Sequence, residues 1–349
     1  MMRKAGILLA VLLLFCTCSV PDAPKEPPSV PTSAVTAAPV SEETVAFSET
    51  QAPAEEPTEA PTPTQDPTPE PSPEPTGLLG VRYLEKFTDE PILDEWSYSD
   101  DSMSLSVEKF TVYETYGPVQ TYYVADIYVQ DVTLLRAAAA RGDFHHGYGK
   151  TVEEIAANVG ALLAIGGDNY YGFEESLVCR NGELYRRKLT ERADLCILYR
   201  DGRMETKHWG EYSLKSVAES DPWQVWSFGP ALLDENGNAK TIRHALSAGN
   251  PRAAIGYYEP GHYCFVIVDG RQIVDGKDGH SEGMTLTELS RLMADLGCRT
   301  AYNLDGGGTA KLFWNGEIVS SSSNPKRKTS DIIYLAPAWM EPTPEPTNE

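Results

Sequence analysis

The residues best suited to chemistry stand where apolar runs end in an acid flanked by glycine. The fullest case is Thr300-Ala-Tyr-Asn-Leu-Asp-Gly-Gly-Gly-Thr309, where an apolar run closes on Asp305 and Gly306, Gly307 and Gly308 follow. Three consecutive glycines are costly for folding unless something requires the backbone there. Their N–H groups can form a concavity for an anion or a developing oxyanion. A carboxylate beside them can act as a nucleophile or as a base for water. The stretch is no Walker loop, because no Gly-Lys-Ser/Thr closes it, and it is no GxGxxG turn. The bland alternative is a tight turn with a solvated Asp that bonds its own backbone.

Two further corners have the same form. Ala161–Ile165 leads into Gly166-Gly167-Asp168-Asn169-Tyr170-Tyr171, and Tyr263–Val268 leads into Asp269-Gly270-Arg271. The elements that position these acids are legible nearby. Tyr122–Val129 is rich in aromatic and β-branched residues and reads as a strand. Thr133–Ala140 leaves two readings open: a strand leading into a loop, or, from Ala137–Ala140 alone, a helix. Asn181-Gly182 and Asp201-Gly202 are hairpin turns, flanked by Ser176–Cys179, Glu183–Arg186, Leu195–Tyr199 and Met204–Lys207. Thr151-Val-Glu-Glu154 and Thr285-Leu-Thr-Glu288 are capping boxes that start helices, the second stopped by Gly297. The expected fold class is α+β: one domain over 77–336, a mixed β-sheet with a few covering helices. Convergence of the Asp168, Asp269 and Asp305 corners at strand ends is the main structural expectation.

The ends of the chain differ in kind. Residues 1–18 carry Arg3 and Lys4 and then an apolar run, as in a secretion signal. Cys16 and Cys18 close it, which points to lipidation, at Cys18 by preference, and anchoring to the outer face of the cell membrane. Residues 19–76 are rich in Pro, Thr, Ser, Glu and Ala and read as a disordered, extended stalk; 337–349 repeat that style. The formal net charge is −22, of which about −11 falls on 77–336. Such an acidic domain argues against nucleic acid as a partner, and an anionic substrate would need a local basic site. Cys179, Cys196, Cys264 and Cys298 lack the close pairing of a zinc site. They read either as small buried thiols or as disulfide partners, with Cys179 and Cys196 the pair to test. His145 and His146 are adjacent and diverge, so no metal is expected there, and no cofactor is expected elsewhere.

Several segments together resemble the phosphodiester glycosidase family. They are Asn250-Pro-Arg-Ala-Ala-Ile-Gly256, Val268-Asp-Gly-Arg271, Ser281-Glu-Gly-Met-Thr-Leu286, Ala301-Tyr-Asn-Leu-Asp-Gly-Gly-Gly-Thr309, Asn324-Pro325 and Arg327-Lys-Thr-Ser-Asp331. Ala164-Ile-Gly-Gly-Asp-Asn-Tyr-Tyr171 resembles that family's Asn-Gly-Asp-Tyr-Tyr corner. The order of the pieces agrees over roughly 120–336. The resemblance implies hydrolysis of a sugar joined through its anomeric carbon to a phosphodiester, on a glycan or wall polymer. Asp305 is the first candidate for the carboxylate at the anomeric carbon, then Asp168, then Asp269. Arg252 and Arg327 match family arginines and suit a phosphodiester. Gly306, Gly307 and Gly308 would hold a phosphate or sugar oxygen, Asn303 and Thr309 would bond the sugar or position the acid, and Gly167 and Asn324 complete the substrate set. Two departures stand out: Gly166 replaces an Asn, and Glu282 replaces a basic residue. His280 is a minor candidate to supply donors instead. The alternative reading is a non-catalytic glycan-binding module with Trp223, Trp226, Tyr170 and Tyr171 as its platform.

Overall fold

The structure is a computed structural model that describes residues 79, 82–112, 120–172, 176–188, 194–243, 248–274 and 279–340. The signal segment, Cys16, Cys18, the whole stalk over 19–76 and the end of the tail lie outside the described residues, as do the side chains of 272–281, His280 among them. Everything described belongs to the compact unit Pro69–Glu349.

The class is α+β and sheets dominate, but the strands divide among several sheets rather than forming one mixed sheet. A seven-stranded sheet runs in the order Ile92–Leu93, Ser97–Ser99, Met103–Val112, Gln120–Val129, His262–Val268, Arg252–Glu259, Thr300–Asn303. A five-stranded sheet has the order Met204–Lys207, Leu195–Tyr199, Pro222–Trp226, Leu177–Arg180, Glu183–Arg187. A second five-stranded sheet has the order Glu317–Ile318, Leu312–Trp314, Leu163–Gly166, Asp331–Leu335, Arg136–Ala139. The pairings in all of them are antiparallel. Tight hairpins join some neighbours, such as Leu177–Arg180 with Glu183–Arg187 and Arg252–Glu259 with His262–Val268, while others, such as Gln120–Val129 with His262–Val268, meet from distant parts of the chain. Asn181 and Gly182 turn the first hairpin with φ of 53° and 79°, the left-handed pair that Asn-Gly favours.

The central strand His262–Val268 is buried on both faces. Tyr263, Phe265 and Ile267 face the large core, with Trp226, Leu163 and Leu312. Cys264, Val266 and Val268 face the helix Leu286–Asp295 through Leu289 and Met293. Alternation of side chains across a strand makes both contacts with one run of apolar residues. That helix is closed by the Thr285/Glu288 capping box, and Thr151/Glu154 caps Val152–Asn158 in the same way. A third helix, Leu214–Glu219, is capped by Ser213 and Ser216, a weaker pattern that sequence reading passed over.

Cys179 and Cys196 lie on strands separated by Pro222–Trp226, about 10 Å apart at two strand spacings, beyond the span of a disulfide. All four described cysteines are buried thiols, and Cys264 Sγ lies 3.7 Å from Cys298 Sγ.

Candidate active site

The strands His262–Val268 and Thr300–Asn303 both run antiparallel to Arg252–Glu259, so they end at the same edge. In that register Asp269, Pro251-Arg252 and Asp305 follow one another across the edge. The strand Leu163–Gly166 belongs to another sheet, yet its end meets the same place: Asp305 N donates to Gly167 O at 3.1 Å. The three acidic corners thus adjoin, with two sheets supplying them.

The glycine loop is held from below and flanked by cations. Gly307 N donates to Pro251 O at 2.9 Å, and a Cβ on Gly306 would stand 2.6 Å from that same oxygen. Only glycine permits this approach. Gly307 has a φ of 63°, and the Arg271 guanidinium comes within 3.5 Å of the space above its Cα. The Cβ atoms of Arg327 and Asn324 lie 2.9 Å from the corresponding space at the next residue, Gly308. Arg327 is exposed, and its guanidinium lies 5.7 Å from the centre of the Tyr148 ring. Tyr148 Oη in turn donates to Asn169 Oδ1.

The acids differ in environment. Asp305 is partly exposed; burial raises its pKa to about 6, against the opposing pull of the Thr309 hydroxyl and of Arg327. Thr309 is itself buried and donates to Gly306 O at 2.8 Å, which ties hydroxyl, loop and acid together. Asp168 is fully buried and bonded on both oxygens, by Arg180 and by Ser227 N at 2.8 Å. Asp269 accepts from Ser321 N at 2.9 Å, and burial pushes its carboxyl up to about 6. Asn303 is buried; its Nδ2 donates to Gly229 O at 2.7 Å, and its Oδ1 has no hydrogen-bond partner. Arg252 is buried and gives donors to Met284 O at 2.9 Å and to Ala248 O; burial, then Arg271, lower its pKa to about 10.

Beneath these groups Asp168 belongs to an ion cluster whose other members, Arg180 and Asp331, were not among the expected site residues. Arg180 is fully buried and bridges Asp168 to Asp331, donating to Asp331 Oδ2 at 2.9 Å. Burial opposes the Arg180 charge, but Asp168 and Asp331 outweigh it and push its pKa up. Burial raises Asp331 to about 8 despite Arg180. Asp331 Oδ1 has no hydrogen-bond partner and faces the bare Cα of Gly167. The available signal was charge at positions inside apolar strands: Arg180 closes Leu177–Arg180, and Asp331 opens Asp331–Leu335. Arg271 was likewise visible in the Asp-Gly-Arg run.

Gly166 is explained sterically: a Cβ there would meet Thr309 O at 2.5 Å, so an Asn would displace the loop. Glu282 is exposed beside Gly270. The aromatic platform is not at the surface. Trp226 and Tyr170 are fully buried, Trp223 is buried with its Nε1 bonded to Leu135 O at 2.8 Å, and only Tyr171 is exposed. Trp223 and Trp226 belong to the large core with Phe265 and Leu312, and Tyr170 packs with Phe144 and Val178. No group of His, Cys, Asp and Glu among the described residues is arranged to hold a metal.

Known proteins share this fold. A solved structure of the zebrafish N-acetylglucosamine-1-phosphodiester alpha-N-acetylglucosaminidase catalytic domain, auto-inhibited by its pro-peptide, aligns with TM-score 0.53 and 21% identity, over 68% of this chain and 84% of that one. A hypothetical protein from Synechocystis aligns with TM-score 0.51 and 14% identity, over 68% of this chain and 62% of that one. An uncharacterised SPbeta prophage-derived protein of Bacillus subtilis, YomE, is 26% identical over 148 residues, 41% of this chain and 22% of that protein. The match thus spans about a fifth of that curated relative. The family model for phosphodiester glycosidases matches residues 151–336, from the cap of the first helix to the end of the last strand. Just over half of its residues being so matched, the chain belongs to the phosphodiester glycosidase family.

Proposed function

We propose that this protein hydrolyses the anomeric bond of a sugar-1-phosphodiester, with an N-acetylglucosamine-like sugar, on a glycan or wall polymer. One observation carries the reading: a partly exposed carboxyl raised to about 6, at the root of a glycine loop approached by Arg271 and Arg327. The loop N–H groups and the two guanidinium groups suit the phosphate end of the substrate. Asp305 stands at the anomeric carbon, as nucleophile or as base for the attacking water. The bond from the anomeric carbon to the phosphate oxygen breaks, its electron pair stays on that oxygen, and a phosphomonoester leaves. Phosphate is a good leaving group, so the carboxylate facing the sugar matters more than an acid at the leaving oxygen. Arg180 and Asp331 act through Asp168 and Gly167 to hold the Asp305 corner. Arg252 supports the loop from Pro251, next to Arg271. A lipid on Cys18 would tether the domain, through its stalk, to the outer face of the membrane.

The test is release of reducing sugar from an α-N-acetylglucosamine-1-phosphodiester by the mature chain. Release together with a phosphomonoester, lost in a folded Asp305→Ala variant, is expected; undiminished release by that variant would refute the assignment. Burial of Trp223, Trp226 and Tyr170 counts against a purely sugar-binding module.

A further inference from the structure

Lys311 stands just past Thr309, where the chain leaves the glycine loop, and is only 1% exposed. Its neighbours Ala310 and Leu312 belong to the large core. A buried ammonium is costly unless its donors are taken. Here they are: Lys311 Nζ donates to Glu153 Oε2 at 2.8 Å, to Glu153 Oε1 at 3.1 Å and to Pro325 O at 2.7 Å. An ammonium carries three donors, so the group is saturated. Packing alone would favour an apolar side chain at this position, and the charge points instead to what it holds.

It holds two separate segments. Glu153 lies in the first turn of the helix Val152–Asn158, with its side chain partly exposed. Pro325 lies inside a turn: Arg327 N donates to Asn324 O at 3.1 Å, which makes Asn324 and Arg327 the first and last residues of that turn. These are the two residues whose Cβ atoms stand against Gly308. The turn itself is exposed from Asn324 to Lys328. The segment that carries it is fastened before the turn by Leu312 N, which donates to Ser320 Oγ at 2.8 Å, and after it by Thr329 N, which donates to Lys150 O at 2.9 Å. Lys311 anchors the middle, from beneath.

We propose that Lys311 is a positioning residue: by binding Pro325 O and Glu153 together it sets the Asn324–Arg327 turn, and with it the Arg327 guanidinium, at the phosphate end of the substrate. The proposal rests on the reading of the glycine loop as that end. An arginine on a loose turn must be ordered when phosphate arrives, which weakens binding; one on an anchored turn is already in place.

The probe is glycerol 3-phosphate, a phosphomonoester like the expected leaving group, titrated calorimetrically into the purified protein and into Lys311→Met, Arg327→Gln and the double variant. Arg327→Gln should weaken binding about fivefold and Lys311→Met about threefold, while the double variant should bind no more weakly than Arg327→Gln alone, because the two residues act as one. Met is close to Lys in volume, and thermal unfolding checks that the variants fold. A merely structural Lys311 would lower the melting temperature, and its loss would either spare affinity or reduce it by the same factor with and without Arg327; either result would overturn the proposal. Glu153→Ala reaches the same contact from its exposed side and should weaken binding in the same direction, so it serves if Lys311→Met does not fold; unchanged affinity there, or a wild type that does not bind the probe, would also overturn it. Sugar release from the diester is a separate measure. Coupled losses of binding in a protein that releases no sugar leave Lys311 in its role and refute the hydrolytic reading. Sugar release with an affinity indifferent to Lys311 does the reverse.

Discussion

Replacing Arg180 by Met tests whether the buried ion cluster holds the acidic corners together. The side chains of Arg180, Asp168 and Asp331 have no exposure at all, and Arg180 also donates to Cys179 O and Val225 O. Met fills much of the volume but leaves two buried carboxyls with no cation. Breaking a buried pair from one side costs about 3–5 kcal/mol, a large part of the roughly 5–15 kcal/mol available to a folded domain. At about 2–4 °C per kcal/mol for a domain of this size, the melting temperature should fall by roughly 6–20 °C. The effect should depend on pH in a definite sense. Asp331 is raised from 3.8 to about 8 in the folded protein while Arg180 pulls it down, so without Arg180 it rises further. A carboxyl raised by folding stabilises the fold below its unfolded pKa, and this is lost as pH rises through its folded pKa. The deficit of Arg180→Met relative to wild type should therefore grow as pH rises through about 8. The assay is thermal unfolding of both proteins between pH 5 and 9. A companion variant, Arg180→Met/Asp168→Asn/Asp331→Asn, should recover much of the loss by removing the stranded charges. A single variant within about 1 kcal/mol of wild type at every pH would refute the reasoning.

Three more expectations follow from the site. Activity should rise with pH through about 6 as Asp305 ionises, and Arg327→Gln should move that limb upward by less than about one unit, because Arg327 lowers the Asp305 pKa from an exposed, screened position; an unmoved limb would disconnect the two. Asp269, raised from 3.8 to about 6 by burial, favours the fold below about pH 4 and ceases to as pH rises through 6. Asp269→Asn should hence flatten the loss of stability between pH 4 and 7 by about 2–3 kcal/mol while keeping an acceptor for Ser321 N; parallel stability curves would contradict it. Gly306→Ala should cost about 1–3 kcal/mol, because its Cβ meets the Pro251 carbonyl, a backbone group with little freedom to retreat; chemical denaturation gives the value, and a neutral result would mean that the loop shifts freely.

What the sequence by itself determined was local. The Asn181-Gly182 turn, the Thr151 and Thr285 caps, the apolar run Tyr263–Val268 and the Asp-Gly corners all act through neighbours a few residues away, so their residue types suffice to read them. The motif set that marks the family is likewise written along the chain. Tertiary structure alone decided the rest. It placed strands expected in one sheet into several, and it sent Trp223, Trp226 and Tyr170 into the core. It joined Arg180 to Asp331 across 151 positions, and it brought Arg271 to Gly307 and Arg327 to Gly308 of one glycine loop. The physical reason is that burial and charge pairing are properties of a place in space. Asp168, Asp269 and Asp305 look alike as strand-end acids beside glycine. They differ because one is locked by a buried guanidinium, one is capped by a backbone N–H, and one is left partly open beside the loop.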